Sequence, residues 1–199
     1  MCRRVFDLIA SLFALVLLSP VLLAIAFLLK LESPGPVLFR QQRLGLGARV
    51  FEIYKFRTMR PGAEIEGPRV TIRDDPRVTR FGRMLRRFDL DELPTLFNVA
   101  KGDMSFVGPR PEVPEYLPYY SEEHRRVFMV RPGLVDPVTL AFRNEAALLV
   151  GEDAERTYTR EILPRKLTLN LEYIKRQNTL SDAAIIVKAI ATVLLESKG

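Results

Sequence analysis

The stretch LRRFDLDELPTLFNVAKGDMSFVGPRP, from Leu85 to Pro111, says most about the fold and chemistry of this chain. Two adjacent carboxylates, Asp91 and Glu92, follow a pair of arginines, and two turn sequences come after them. The second turn holds Arg110 between two prolines. A carboxylate that can attack phosphorus or bind a metal, beside fixed cations, is what phosphoryl chemistry on an anionic substrate requires. These residue types in this order are compatible with a phosphoryl-transfer site, on a segment that predicts a short helix between turns.

The same acids also have a purely structural interpretation. Asp89 as the N-cap and Glu92 three residues later would form a capping box, and Pro94 is tolerated in a first helical turn. This interpretation does not account for Arg86 upstream, or for the Gly-Asp-Met-Ser and Gly-Pro-Arg-Pro turns downstream. The two interpretations are compatible, because the N-terminus of a helix can itself bind an anion.

Composition narrows the class of protein. The 199 residues suit one compact domain with an appendage, and the net charge of +6 indicates an anionic partner such as phosphate, nucleic acid or acidic lipid. The single cysteine, Cys2, excludes an internal disulfide and a cysteine-based zinc site, and it fits a reducing cytosol. The single histidine, His124, excludes sites built from several histidines.

An apolar segment runs from Leu8 to Leu29, interrupted only by Ser11, Ser19 and Pro20. A bilayer crossing needs about 20 apolar residues, so a single transmembrane helix is one explanation. The other is a re-entrant helix that enters and leaves the same leaflet. A proline in mid-helix removes a backbone hydrogen bond and bends or breaks the helix, which leaves each half too short to cross.

The placement of charge favours the re-entrant helix. Arg3 and Arg4 lie before the apolar segment, and Lys30 and all remaining basic residues follow it. A spanning helix would put strong positive charge on both sides of the membrane, against the known bias towards the cytoplasmic side. We therefore predict a re-entrant helix over residues 1–32, broken at Ser19-Pro20, with both ends cytosolic, and a cytosolic catalytic domain over residues 33–199.

The rest of the chain predicts short elements of both kinds. Two strands joined by the Gly45–Gly47 turn should form a small hairpin, and residues 61–75 should form a loop over the site. A final helix capped by Ser181 could lie in the membrane interface or pack on the domain. The predicted strands are Val37–Arg43 and Arg49–Phe56, and the other predicted helices are Thr79–Arg87, Leu90–Val99, Glu122–Val130 and Glu152–Asn178, the last kinked near Pro164.

The D-E-L-P, G-D-M-S and G-P-R-P elements, in this order, resemble the catalytic core of the monotopic phosphoglycosyl transferases, a group of bacterial sugar transferases. These enzymes move a hexose 1-phosphate from a UDP-sugar onto undecaprenyl phosphate, and the resemblance covers nearly the whole chain. It implies an α+β fold that is mostly helical, with a re-entrant membrane helix, a small β-hairpin and a compact cytosolic domain with interfacial amphipathic helices. It also implies a monotopic protein on the cytoplasmic face of the bacterial inner membrane, and it leaves a homo-oligomer open.

The resemblance assigns roles to particular residues. Asp91 would be the nucleophile on the UDP-sugar, and Asp91 and Glu92 would bind Mg²⁺ as the cofactor. The resemblance also implies cations that bind the substrate phosphates: Lys55, Arg86, Arg110 and Arg143.

Departures from the family pattern and rival functions remain. The Leu-Val-Asp-Pro sequence after Arg131-Pro132-Gly133 stands where the family usually has a Thr-Gly pair, so we assign no sugar.

One rival is a membrane-anchored protein that binds anionic lipid or nucleic acid. Nucleic acid is disfavoured, because aromatic residues are not interleaved with the basic ones. Inverting glycosyl transferases and aspartyl phosphatases are further rivals, which release UDP and inorganic phosphate respectively, whereas a phosphoglycosyl transferase releases UMP.

Overall fold

The computed structural model describes residues 2–63, 71, 75–138, 142 and 153–196. The fold is mostly helical with small sheets, which confirms the predicted α+β class. Short 3₁₀ helices cover 46–48, 90–95, 114–119 and 124–129, and a π-helical segment at Tyr158–Ile162 joins α5 to α6. The α-helices are α1 (Cys2–Leu17), α2 (Ser19–Glu32), α3 (Arg80–Arg87), α4 (Leu96–Lys101), α5 (Ala154–Thr157), α6 (Leu163–Arg176) and α7 (Thr179–Glu196), and the strands are β1 (Leu38–Leu44), β2 (Val50–Phe56), β3 (Ser105–Val107) and β4 (Gly133–Val135).

Helices α1 and α2 are bent by 60° relative to each other at the predicted break. Pro20 lies in the first turn of α2, and the Ser19 hydroxyl donates to the Val16 carbonyl (2.7 Å). Within the described residues, no individual helix has both the length and the hydropathy that a membrane crossing requires; α1 and α2 reach them only together, across the bend.

The first turn of α1 is fixed to the rest of the protein by its two arginines. The Arg3 guanidinium donates to the Val107 carbonyl (2.6 Å) and forms an ion pair with Asp182 of α7 (3.0 Å). Arg4 donates to the Val99 and Ala100 carbonyls, at 2.6 Å each, at the end of α4. Cations stabilise the C-terminus of a helix, because its last carbonyls have no partner within the helix. Both arginines therefore contact the same domain.

The end of α2 is fixed to that domain as well. The buried Arg57 guanidinium donates to the Pro34 (2.8 Å) and Ser33 (3.0 Å) carbonyls, just after α2. The Glu32 carboxylate accepts from the Thr79 hydroxyl (3.1 Å) at the start of α3. Leu29, which is completely buried, packs in a core cluster with Ile25, Phe56 and Leu85.

The predicted hairpin is confirmed to within one residue at each strand end. Strands β1 and β2 are antiparallel, with Leu38 opposite Phe56 and Leu44 opposite Val50. Asn98 of α4, which has no exposed surface, fixes the hairpin to the helix. Its side chain accepts from the Tyr54 amide (3.0 Å) and donates to the Glu52 carbonyl (2.6 Å).

A short parallel pair, β3 and β4, was not predicted. Ser105 lies opposite Gly133, and Val107 lies opposite Val135. A side chain at Gly133 would place its Cβ 2.1 Å from the Gly108 amide nitrogen, so the two glycines allow the chains to approach closely. This contact fixes the turn that carries Arg110.

The remaining helix predictions hold with changes of detail. The predicted helix near 152–178 is observed over 154–176, and Pro164 lies in the first turn of α6, directly after the π-helical segment. The prediction that Ser181 caps the last helix is wrong. Helix α7 begins at Thr179, three residues before the start that a Ser181 cap would give, because Asn178 and Ser181 each bind the other's backbone amide through their side chains, at 2.9 Å.

Candidate active site

The acid pair lies on the 3₁₀ turn 90–95, which follows α3 directly. Asp89 has a left-handed backbone (φ +51°) and makes no side-chain capping hydrogen bond, so the predicted capping box is wrong. The left-handed residue starts a tight turn, closed by the Glu92 amide donating to the Asp89 carbonyl (3.2 Å). Glu92 consequently binds cations instead of capping a helix.

One oxygen of Glu92 receives two of the predicted cations. Its Oε1 accepts from Lys55 Nζ of β2 (2.6 Å) and from an Arg110 guanidinium nitrogen (2.9 Å). Burial raises the pKa of Glu92, but Arg110 and Lys55 outweigh that effect and hold the pKa well below its usual range. Glu92 in turn raises the pKa of Arg110. Burial lowers the pKa of Lys55, and attraction to Glu92 opposes this only in part.

Asp91 has a different environment, although it is the neighbouring residue. It is only 8% exposed, and within the described part of the chain no hydrogen bond or ion pair reaches its carboxylate. Burial raises the pKa of Asp91, opposed by Lys55 and reinforced by the negative charge of Glu92. A desolvated carboxylate without hydrogen-bond partners keeps its lone pairs available, which is a condition that a carboxylate nucleophile must meet.

Arg86 approaches Asp91 from α3. Its Nε donates to the Thr58 hydroxyl (2.9 Å) and another guanidinium nitrogen donates to the Thr71 hydroxyl (3.0 Å). Burial lowers the pKa of Arg86, and the negative charge of Asp91 raises it. A Cβ at Gly82 would lie 2.1 Å from the Thr58 carbonyl oxygen, so glycine is what allows α3 to pack this closely.

The structure therefore brings together five of the six predicted site residues. Glu92 contacts Lys55 and Arg110 directly, and Arg86 is a charged neighbour of Asp91. Arg143 lies outside the described residues, as do 64–70 and 72–74 of the predicted loop over the site.

Sequence reasoning missed three residues next to this group. Arg43 of β1 donates to the Pro111 carbonyl (2.9 Å), directly after Arg110. Glu112 lies 4.0 Å from Arg43 and accepts a 2.5 Å hydrogen bond from the Tyr158 hydroxyl. The only local signal was Arg43, a basic residue at the end of a predicted strand beside a glycine turn. The contact between Glu112 and Tyr158 gave no local signal, because these residues are 46 positions apart in the sequence.

The described residues supply only part of the ligand set that a metal ion needs. No group of three or more Asp, Glu, His or Cys side chains that could hold a metal occurs among the described residues. The oxygens of Asp91, and Oε2 of Glu92, accept no hydrogen bond from any described residue. Mg²⁺ is often held by one or two carboxylates together with substrate phosphates and water. The donor set fits an ion that arrives with a diphosphate.

Comparisons of the whole sequence with known proteins agree on one family. The family model described as bacterial sugar transferase matches residues 1–196. The chain is 40% identical over 199 residues to the UDP-N-acetylgalactosamine-undecaprenyl-phosphate N-acetylgalactosaminephosphotransferase of Aeromonas hydrophila. It is 41% identical over 195 residues to an undecaprenyl-phosphate glucose phosphotransferase of Komagataeibacter xylinus. It is 39% identical over 197 residues to a UDP-glucose:undecaprenyl-phosphate glucose-1-phosphate transferase of Caulobacter vibrioides.

These relatives are longer proteins. The alignments cover 96%, 94% and 96% of this chain, but only 43%, 35% and 69% of the respective relatives. Relatives named for N-acetylgalactosamine and for glucose match equally well, so overall identity does not select a sugar.

Proposed function

Because the chain belongs to the bacterial sugar transferase family, we propose that it transfers a sugar 1-phosphate from a UDP-sugar to undecaprenyl phosphate and releases UMP. The observation that carries the proposal is the buried Asp91 carboxylate, without a partner among the described residues, beside a Glu92 that holds two cations. The named activities of the relatives agree with it.

The reaction proceeds in two displacements. An Asp91 oxygen attacks the β-phosphorus of the UDP-sugar; the bond from that phosphorus to the bridging oxygen breaks, and its electron pair leaves with UMP. An oxygen of undecaprenyl phosphate then attacks the same phosphorus, and the bond to Asp91 breaks. This yields undecaprenyl-diphosphate-sugar and restores the carboxylate.

Glu92 acts in this scheme by holding charge in place. Its contacts fix the Lys55 ammonium and the Arg110 guanidinium at the acid pair before substrate binds. Fixed cations stabilise the negative charge that develops on the phosphoryl oxygens, and they do not have to reorganise during the reaction. Arg86, held by two threonine hydroxyls, supplies further positive charge near Asp91.

Mg²⁺ is the proposed cofactor, held by Asp91 and Glu92 together with the diphosphate. When bound, it would neutralise charge on the diphosphate and the leaving nucleotide. The protein residues around Glu92 are net cationic, so we expect the ion to bind with the nucleotide and weakly without it.

We also propose that the helix pair α1–α2 is re-entrant, on the cytoplasmic face of the bacterial inner membrane. Two sets of contacts support this topology. Arg3 and Arg4 bind the ends of β3 and α4, and Glu32 at the far end of the pair binds the start of α3. A helix pair whose two ends contact one compact domain cannot have those ends on opposite sides of a bilayer.

The function is tested with a panel of UDP-sugars and undecaprenyl phosphate, using the chain in nanodiscs. We expect UMP to be released with one or more of the sugars, and the release to stop in Asp91→Asn. Release of UDP or of inorganic phosphate instead would indicate an inverting glycosyl transferase or a phosphatase. Binding of anionic lipid that is unchanged in Asp91→Asn, with no nucleotide product, would indicate a binding protein.

A further inference from the structure

Helix α3 has an exposed basic face that takes no part in the proposed reaction. It consists of three arginines and a methionine, spaced three or four residues apart and therefore on one side of the helix: Arg80, Arg83, Met84 and Arg87. All four side chains are exposed, and Met84 is 42% exposed although it is apolar. The face thus combines positive charge with an exposed apolar group.

The other sides of α3 are packed against the protein. Phe81 and Leu85 lie in the core cluster that includes Leu29 of α2. Arg86, on a further side, donates to the Thr58 hydroxyl (2.9 Å) near the acid pair. Helix α3 therefore contacts both α2 and the candidate active site, and its basic face is the side that remains open to the surroundings.

The positive charge of this face is not neutralised by the described part of the chain, where none of its three arginines forms an ion pair with an acid. Helix α3 itself contains four arginines and no Asp or Glu. Like charges three or four residues apart on a helix repel each other, and Arg80 stands in the first turn, where the helix dipole disfavours a cation. Such a face lowers the stability of the helix unless an anion lies against it.

The basic face lies next to the point where the helix pair α1–α2 joins the domain. Glu32, the last residue of α2, accepts from the Thr79 hydroxyl (3.1 Å) and the Phe81 amide (3.3 Å) at the start of α3. The part of α2 that does not pack on the domain is apolar and exposed, at Leu23, Phe27 and Leu31. The surface therefore changes from apolar on α2 to basic on α3, which is the order from the hydrocarbon core of a bilayer to its headgroups.

Building on the proposed function and its membrane topology, we propose that the basic face of α3 binds the headgroups of anionic phospholipids. The three guanidinium groups contact lipid phosphates, while Met84 and the apolar stems of the arginines lie against the outer part of the acyl chains. Each basic residue at an anionic membrane surface strengthens attachment by roughly fivefold, and the effect is screened by salt.

This contact has a consequence for the position of the active site. Arg86 belongs to α3, and the turn that carries Asp91 and Glu92 follows α3 directly. Bulk phospholipids on the outer side of α3 would hold these residues at the depth of the headgroups. The phosphate of a polyprenyl acceptor lies at the same depth, so the contact would place the acid pair level with it.

The direct test places a probe on the basic face. In a Cys2→Ser background, Met84→Cys is labelled with a nitroxide, and the full chain is placed in nanodiscs of phosphatidylcholine, alone or mixed equally with phosphatidylglycerol. Collisions of the nitroxide with a water-soluble nickel chelate, measured by EPR, report how far the face is exposed to water. We expect phosphatidylglycerol to lower this accessibility by at least about twofold. Salt at about 1 M should restore it, because the Debye length is then only about 3 Å.

Charge variants test whether the arginines of α3 cause the effect. With Arg80, Arg83 and Arg87 all changed to Gln, accessibility should no longer depend on phosphatidylglycerol. The matched control removes the same charge from exposed arginines elsewhere on the domain, Arg125, Arg156 and Arg160, and should respond like the parent. If the α3 triple variant does not fold, the Arg80→Gln, Arg87→Gln double variant is used, because it keeps the contact of Arg83 with the Val78 carbonyl (3.0 Å). It should lose most of the response.

The outcomes separate this inference from the proposed function. Accessibility that phosphatidylglycerol does not change, or lowers equally in both triple variants, would overturn the lipid contact. A fall that inorganic phosphate reproduces in phosphatidylcholine discs would overturn it too, because the face would then bind anions in general. These discs contain no undecaprenyl phosphate, so the substrate cannot cause the response. The α3 triple variant should form the Asp91 adduct within about twofold of the wild-type rate in phosphatidylcholine discs. A wild-type chain that forms no adduct contradicts the proposed function instead.

Discussion

At the scale of single residues, the two neighbouring acids are set apart by their partners. Glu92 meets two cations and remains ionised, whereas Asp91 is buried without a partner among the described residues. The sequence predicted that these acids and Lys55, Arg86 and Arg110 would form one site. It could not predict which acid would hold the cations, because that depends on the left-handed backbone of Asp89, where the sequence favoured a cap.

Asp91→Asn should abolish turnover, by at least about a thousandfold, and also stabilise the protein at neutral pH. Because the folded-state pKa of Asp91 is raised, the wild type loses stability as pH rises from the unfolded pKa, about 3.9, through the folded one. Asparagine has no such charge, so the gain in Tm should be larger at pH 7 than at pH 4. Differential scanning fluorimetry over this range measures it, with the exposed Asp153→Asn as the control. An Asp91→Asn protein less stable than wild type at pH 7 would contradict the inference that the buried charge of Asp91 destabilises the folded protein.

Glu92→Gln should have the opposite effect on stability. It leaves the Lys55 and Arg110 charges without their counter-ion, so Tm should fall by several degrees and turnover by roughly tenfold to a hundredfold. The lowered pKa of Glu92 stabilises the fold above the unfolded pKa, about 4.3, and this stabilisation is lost as pH falls through the folded pKa. The difference in Tm between Glu92→Gln and wild type should therefore narrow below about pH 4. A difference in Tm that stays constant across this pH range would show that lost packing, and not lost charge, causes the loss of stability. Glu122→Gln, at an exposed position, is the matched control.

At the scale of elements, hairpin and helix positions followed from apolar periodicity and turn residues, whereas the contacts between elements did not. Asn98 illustrates the limit, since nothing in its local sequence indicates that it pairs with the backbone of β2. The parallel pairing of β3 with β4 was missed for the same reason, because these strands have three residues each and are separated by 25 residues. Long-range hydrogen bonds of this kind leave no periodic signal in the sequence.

Asn98→Ala should destabilise the protein by about 2–4 kcal/mol, since it leaves the Tyr54 amide and the Glu52 carbonyl without partners in a buried position. Chemical or thermal unfolding in nanodiscs measures the change. Gln42→Ala, at an exposed position on β1, should be close to neutral. Equal stability of the two variants would mean that α4 is held to the hairpin by other contacts.

The break between α1 and α2 has a consequence for topology. In intact cells, the native Cys2 and a cysteine placed near Gly199 should both be shielded from an impermeant thiol reagent. Replacing Ser19-Pro20 with Ala-Leu removes the bend and should favour a spanning helix, and adding Arg3→Gln and Arg4→Gln should increase Cys2 labelling further by releasing α1 from α4 and β3. Labelling of wild-type Cys2 from outside would contradict the re-entrant proposal.

At the scale of the whole molecule, the net charge of +6 poses the question of whether the cations act singly or as a diffuse field. Contacts to specific partners favour specific roles, so Arg86→Ala and Arg110→Ala should each lose at least tenfold in kcat/KM. Arg110→Lys should recover little, because an ammonium cannot reproduce the geometry of a guanidinium. The exposed Arg156 and Arg160 serve as controls, and a similar loss in their alanine variants would indicate a diffuse field.

The proposed mechanism requires that Asp91 becomes covalently attached to the phosphosugar. The most direct measurement is mass spectrometry of the proteolysed chain after incubation with a UDP-sugar and Mg²⁺, without lipid acceptor. We expect a sugar-phosphate adduct on the peptide that contains Asp91, absent in Asp91→Asn and removed on adding undecaprenyl phosphate. An adduct on another residue, or full turnover with no adduct at any time, would contradict it.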